Sequence, residues 1–249
     1  MNGRMIGPLA AAGAVALHAG PALTSIAPLR RRALPALAGV GDPTHVALTF
    51  DDGPDPRSTP MFLAALRRLE VKATFFLLGR MLAAAPGLGR DLVAEGHEVA
   101  VHGWHHRMLL GTSPSRTYDD LARAWALIAD ITGTTPRWYR PPYGVLTGGA
   151  LHAAHQLGLT PVLWTAWGRD WTTGATPMSV LRTVGNRLAG GTVLLHDSDC
   201  TSAPGSWRAT LGALAPLVRR ARAQNLTIGP LCDHGSPAAP VDRPTSSCR

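Results

Sequence analysis

The sequence predicts an α/β fold, a parallel sheet of about seven strands covered by helices and closed into a barrel. Two observations predict it. From residue 44 onward, short apolar runs alternate with stretches whose apolar positions recur at helical spacing, the pattern of a parallel sheet between helices. The number of such units in 249 residues suits one closed domain with a sizeable core.

In chain order, "HVALTF" (45–50) reads as a buried strand. Phe62, Leu63, Leu66 and Leu69 then mark an amphipathic helix over 59–69. "ATFFLL" (73–78) is the second strand, 89–95 the next helix and "EVAVH" (98–102) the third strand. A longer helix over 115–131 starts at Ser113-Pro114 and stops at Gly133. A short strand ending at Tyr139-Arg140, a helix over 147–157, a strand "TPVLWT" (160–165) and a helix over 177–188 follow. "TVLLH" (192–196), a helix over 207–223 and "LTIG" (226–229) complete the unit. The Pro- and Ser-rich tail 235–249 is expected to be unstructured.

Residues 1–41 are set apart from the folded unit at 42–234. Positions 5–29 carry no formal charge over 25 residues, long enough for a helix to cross a bilayer core of about 30 Å. Pro8, Pro21, Pro28 and His18 interrupt them, and alanine dominates. As a signal peptide the segment has only Arg4 as its basic start, and the triplet Ala36-Leu37-Ala38 lies beyond Arg30, Arg31 and Arg32. Those arginines would hold the following domain in the cytoplasm, in conflict with simple export. Membrane-associated, signal-like and irregular readings stand side by side.

The formal charge of +8 invites a nucleic-acid reading, yet half of it comes from Arg4, Arg30, Arg31 and Arg32. The remaining charges are mixed, with no basic stripe and no interleaved aromatics, so nucleic acid is not an expected partner. Cys200, Cys232 and Cys248 form an odd set with no CxxC spacing. A Cys200–Cys232 bridge is conceivable in an oxidising compartment, and free thiols are the equal alternative.

The polar residues fall at strand ends. Asp51 and Asp52 follow the first strand, His102 and His106 the third, Arg140 the fourth, Asp170 the run at 160–165, and His196 the strand at 192–195. In a parallel barrel those ends converge on one mouth. His102 and His106, four apart in "HGWHH", can meet on one cation, and one carboxylate of the Asp51-Asp52 pair would complete a His-His-carboxylate set. Zinc suits these ligands, with cobalt, nickel and manganese as alternatives. His97 and His105 are nearby competitors.

"TFDDGP" (49–54), "HGWHH" (102–106), "RPPYG" (140–144), "GRDW" (168–171) and "LLH" (194–196), in this order over residues 44–229, resemble the polysaccharide deacetylase family, the NodB-homology domain or carbohydrate esterase family 4. The resemblance implies a distorted (β/α) barrel and metal-assisted removal of acetyl groups from an N-acetylated glycan such as peptidoglycan or a chitin-like oligomer. It makes Asp51 the base, Asp52, His102 and His106 the metal ligands, Arg140 the residue orienting the base, and His196 the acid. It also implies the backbone N–H of Tyr143 as oxyanion donor and Trp171 and Leu194 as walls of the acetyl pocket. A substrate of this class favours an extracytoplasmic or membrane-associated location. One departure stands out: the family usually has Asp four residues before the Trp of its fourth motif, and here that position is Trp167. Asp170 is the expected substitute for orienting His196. If it fails, a catalytically weak carbohydrate-binding relic is the rival reading; a third reading is an amidase of the same barrel type acting on a small non-sugar amide.

Overall fold

The structure, a computed structural model, describes residues 6–185 and 188–235. Among them are eight strands: β1 (His45–Asp51), β2 (Thr74–Leu77), β3 (Glu98–Val101), β4 (Trp138–Tyr139), β5 (Thr160–Pro161), β6 (Ala166–Trp167), β7 (Thr192–His196) and β8 (Thr227–Gly229). The helices are α1 (Ile6–Ala19), α2 (Ala27–Ala33), α3 (Thr59–Leu69), α4 (Gly79–Ala84), α5 (Pro86–Ala94), α6 (Pro114–Thr132), α7 (Gly148–Gln156), α8 (Pro177–Val184) and α9 (Trp207–Ala223). One sheet runs in the order β5-β4-β3-β2-β1-β7-β6, every pair parallel, and β8 pairs with the first half of β1.

The expected parallel α/β barrel is present, and its distortion has a definite location. β5 and β6 stand at the two ends of the sheet order and do not pair with each other. The run "TPVLWT" is therefore not one strand. It pairs with β4 only at Thr160 and Pro161 and leaves the ladder at Val162, and the chain rejoins the sheet beside β7 at Ala166. Within the seam the Arg140 guanidinium donates to the carbonyls of Val162 and Leu163, at 3.4 and 3.0 Å. The Leu163 amide donates to the Leu37 carbonyl at 2.8 Å.

That last bond crosses the expected boundary at residue 41. Arg30 is buried, donates to the carbonyls of Thr24 (2.6 Å) and Trp164 (2.9 Å), and lies 5.6 Å from the Trp164 ring centre. Ala38 is fully buried, and the Thr192 hydroxyl donates to the Gly39 carbonyl. Burial, with the charges of Arg31 and Arg140, pulls the Arg30 guanidinium down to about 10. The segment from Arg30 to Gly39 thus packs on the barrel seam, and Arg30 no longer counts as a surface charge beside a membrane. The apolar run is broken at Gly20–Ser25, where a 3₁₀ turn carries Pro21. Among the described residues no single helix is long and apolar enough to cross a membrane; one pair of helical pieces, bent by 97°, is so by length and composition.

The strand period sorts side chains into two cores. Val46, Leu48 and Phe50 of β1 point outward to the helices, where Phe50 stacks on Phe75 and meets Phe62 edge-on. Ala47 points inward with Phe76, Ala100, Val162 and Leu231. The same alternation sends Thr49 and Asp51 inward. α6 is capped as its sequence predicts: the Ser113 hydroxyl accepts from the Arg116 amide, and Gly133 ends the helix at φ 67°. α4 was not expected from the sequence, being six residues long and beginning at a glycine. α8 ends at Val184, before the expected 188. Cys200 carries a free thiol, so the Cys200–Cys232 bridge does not form. The tail beyond residue 235 and Cys248 lie outside the described residues.

Candidate active site

The adjacent carboxylates of "TFDDGP" come to share one mouth through a backbone turn. On a regular strand neighbours face opposite sides, so Asp52 would point at the helices. Instead it takes φ 79°, a left-handed conformation that side chains seldom adopt, and both carboxyl groups come within 4 Å of His102. Gly53 follows because any Cβ there would collide with the buried Asp197 carboxylate.

Asp51 ends β1 directly opposite His196 on β7. Its Oδ1 accepts from Arg140 Nη1 at 2.7 Å, and the same nitrogen donates to the Thr49 hydroxyl at 2.8 Å. Arg140 is wholly buried, its guanidinium 4.0 Å from the Phe76 ring centre. Thr49, which sequence reasoning missed, is a second polar contact on this arginine. Its inward position on the strand was the available signal.

His102 gives its Nδ1–H to the Arg140 carbonyl at 2.7 Å, which leaves Nε2 with its lone pair toward the mouth. That Nε2 lies 3.4 Å from Asp52 Oδ1 and 3.7 Å from Asp51 Oδ2, and His106 Nε2 lies 3.7 Å from Asp52 Oδ1. Asp52, His102 and His106 are a group that could hold a metal ion, their ligand atoms within 4.8 Å of one another. Asp52 Oδ1 is buried without a well-formed hydrogen bond, an unsatisfied acceptor that a cation would suit. Burial alone would raise the Asp52 carboxyl. The His102 contact and the fields of His196, His102 and His106 outweigh it and hold the group well below the usual carboxylate range. Burial and then the His102 charge bring His106 down to about 4. His102, despite its burial, is raised by Asp51 and Asp52.

The two competing histidines are elsewhere. His105 turns to Asp120, with Nδ1 and Oδ1 3.1 Å apart. His97 packs against Phe75, accepts from the Ala73 amide at 3.2 Å, and is brought down to about 4 by burial.

On the far side of the mouth Asp170 meets His196. Oδ1 is 3.0 Å from His196 Nδ1, while Oδ2 accepts from the His196 amide at 2.7 Å and from the Thr210 hydroxyl on α9 at 2.6 Å. Burial would lower the imidazole, but the charge and hydrogen bond of Asp170, with smaller contributions from Asp52 and Asp51, raise it to about 10. Trp167, at the position where an Asp was expected, makes no such contact; its ring stacks on Trp171, centres 4.3 Å apart and planes 12° from parallel. Trp171, Trp167, Trp164 and Leu194 form one wall of the cleft, and Tyr143, at φ 59° and 56% exposed, stands at its mouth against His106. Trp164 and Trp167 were missed as wall residues; the Trp164-x-x-Trp167-x-x-x-Trp171 spacing was the signal.

Arranged in this way, the mouth offers three residues that could hold a cation, a second carboxyl group paired with Arg140 beside them, an imidazole paired with Asp170 across from them and an apolar slot between. The family model described as polysaccharide deacetylase matches residues 38–162. The chain is 37% identical over 194 residues to a chitooligosaccharide deacetylase of a Bradyrhizobium species, covering 75% of this chain and 88% of that one. It is 35% identical over 159 residues to the peptidoglycan-N-acetylglucosamine deacetylase PgdA of Listeria monocytogenes, covering 64% of this chain and 34% of that one, so it spans about a third of that relative's length. Among solved structures it is similar to a pseudoenzyme of carbohydrate esterase family 4 from Bacillus anthracis, in a mutant form with restored enzymatic activity, at 26% identity and a TM-score of 0.69 over 77% of this chain and 67% of that one. With both the motifs and the geometry in agreement, the chain belongs to the polysaccharide deacetylase family.

Proposed function

We propose that this protein is a metal-dependent hydrolase that removes the N-acetyl group from N-acetylglucosamine units of a glycan, peptidoglycan or a chitin-like oligomer, and releases acetate. The observation that supports the reading is the in-register pairing of Asp51 with His196 across β1 and β7, which brings a carboxyl group and an imidazole to one small cleft.

Asp52, His102 and His106 would hold the cation; two imidazoles and one carboxylate favour zinc, with cobalt, nickel or manganese as substitutes. When bound, it lowers the pKa of water and polarises the amide carbonyl. Asp51, held in place by the hydrogen bond from Arg140, takes the proton from the attacking water as its oxygen bonds to the acyl carbon. The Tyr143 backbone N–H, turned by its left-handed conformation, donates to the charge that develops on the former carbonyl oxygen. His196, whose Nδ1 is occupied by Asp170, presents Nε2 to the amide nitrogen and gives it a proton as the carbon–nitrogen bond breaks. Acetate and a free amine result. Trp171 and Leu194 flank the acyl methyl and limit its size.

The substrate class favours a location outside the cytoplasm or at a membrane surface, where residues 5–29 would bring the chain to the bilayer. The test is acetate release from peptidoglycan, chitooligosaccharides and a panel of small amides, with chelator and with zinc restored. Chelator-sensitive release from a glycan is expected. Release only from small amides, or glycan binding without release, would overturn the reading in favour of the amidase or the relic.

A further inference from the structure

The segment "DSDCTSAPGSWR" (197–208) follows the acid strand and has no part in the chemistry described so far. It is strongly anchored. Asp197 is buried and accepts from the Thr59 hydroxyl at 2.5 Å; the Ser198 hydroxyl donates to Asp55 and accepts from the Cys200 amide. Asp199 pairs with Arg57 at 2.7 Å and accepts from the Gly205 amide. The loop held in this way reaches Asp52 at two points. The Cys200 thiol lies 3.4 Å from the Asp52 carbonyl, and the Thr201 hydroxyl donates to Asp52 Oδ2.

The Thr201 contact makes the two oxygens of Asp52 inequivalent. Oδ2 is occupied by the hydroxyl, while Oδ1 faces His102 and His106 and has no hydrogen bond. A carboxylate's terminal torsion is broad and roughly two-fold, so an unrestrained Asp52 could rotate, or offer both oxygens at once. One hydrogen bond from a fixed loop removes that freedom. We propose that Thr201 is a positioning residue for the metal: by holding Oδ2 it presents Oδ1 alone to the cation shared with His102 and His106. This rests on the metal-dependent reading given above. Partners of this outer kind are worth 10- to 100-fold in metal affinity in well-studied sites.

Full-length wild type, Thr201→Val and Thr201→Ser are compared for zinc affinity by competition with a chromogenic chelator, and for the visible spectrum of the cobalt-loaded proteins. Thr201→Val should bind zinc about 10- to 100-fold more weakly and shift the cobalt spectrum, whereas Thr201→Ser should match wild type in both. Metal-free melting temperatures should agree among the three, since a role confined to packing would lower that of the valine form. If the valine form does not fold, Thr201→Ala serves in its place. A valine or alanine variant with wild-type zinc affinity and spectrum, in a wild type that binds zinc, would overturn the assignment of Thr201 while leaving the metal centre standing. A wild type that binds no divalent metal would overturn the centre itself, and the inference with it.

Discussion

On one side of the mouth a carboxylate, Asp51, leans on the buried guanidinium of Arg140; on the other an imidazole, His196, leans on the buried carboxylate of Asp170. The carboxylate is paired with a cation and the imidazole with an anion, and the Asp170 charge raises His196, which suits the acid role proposed for it. The two supports differ in their attachments. Asp170 is held by the His196 amide and Thr210 of α9. Arg140 is held by Thr49 and by the carbonyls of Val162 and Leu163 in the barrel seam. The acid side is a local pair, whereas the base side is part of the architecture.

The largest effects test the base side. Asp51→Asn should lower turnover by up to roughly 10⁴-fold with zinc still bound, and Asp52→Ala should lose zinc. Equal metal loss in both, measured on purified protein, would dissolve the distinction between base and ligand. Arg140→Met should cost stability as well as activity, about 3–5 kcal/mol in urea unfolding, because it strands a buried Asp51; a folded, merely inactive enzyme of wild-type stability would make the two sides alike.

The acid side comes next. Asp170→Asn removes the main group that raises His196 to about 10, so the imidazole should lose its proton at lower pH. The alkaline limb of the pH–rate profile should move down toward the ordinary histidine value near 6.5, turnover should fall roughly 10²-fold, and the metal content and melting temperature should stay close to wild type. A bound cation lowers the starting value without changing that direction. An unmoved profile would show that His196 is oriented from elsewhere.

A smaller effect is expected where the base side meets the N-terminal segment. A chain beginning at Asp42 loses the Leu37 carbonyl that pairs Leu163 and the Arg30 donor that pairs the Trp164 carbonyl, each worth about 1–3 kcal/mol if left buried and unpaired. Reduced stability in denaturant, with zinc affinity retained, would show the seam to be structural. Smallest of all is Trp167→Asp, which gives up the stack on Trp171, an interaction of about 0.5–1.5 kcal/mol beyond area burial. It should change acetate release modestly in the wild type and more visibly as a partial rescue in Asp170→Asn.

What could be read in the sequence was whatever depends on local pattern. The inward face of β1, the cap at Ser113 and the end at Gly133 follow from period and from residue type, and the strand-end placement of Asp51, Asp52, His102, Arg140, Asp170 and His196 follows from the topology. The seam could not be read in this way. "TPVLWT" looks like a strand because apolar burial is all that a run of this length records, and its departure from the ladder is dictated by Arg140 and Leu37, residues over 20 and 120 positions away. The packing of Arg30 was hidden for a related reason: an arginine beside two others reads as surface charge, and only a distant carbonyl makes its burial tolerable. Thr201 lay in a polar loop with no period at all.

Arg140 has a consequence for how such a protein can change over generations. On the proposed reading one guanidinium serves both the reaction and the closure of the fold, so mutations there are judged twice. A lineage that abandons the chemistry is still obliged to keep the arginine for its shape, whereas His196 and Asp170 can drift once catalysis is no longer selected. Inactive descendants of this chain should therefore carry the scars of lost function on the acid side of the mouth before the base-side arginine gives way.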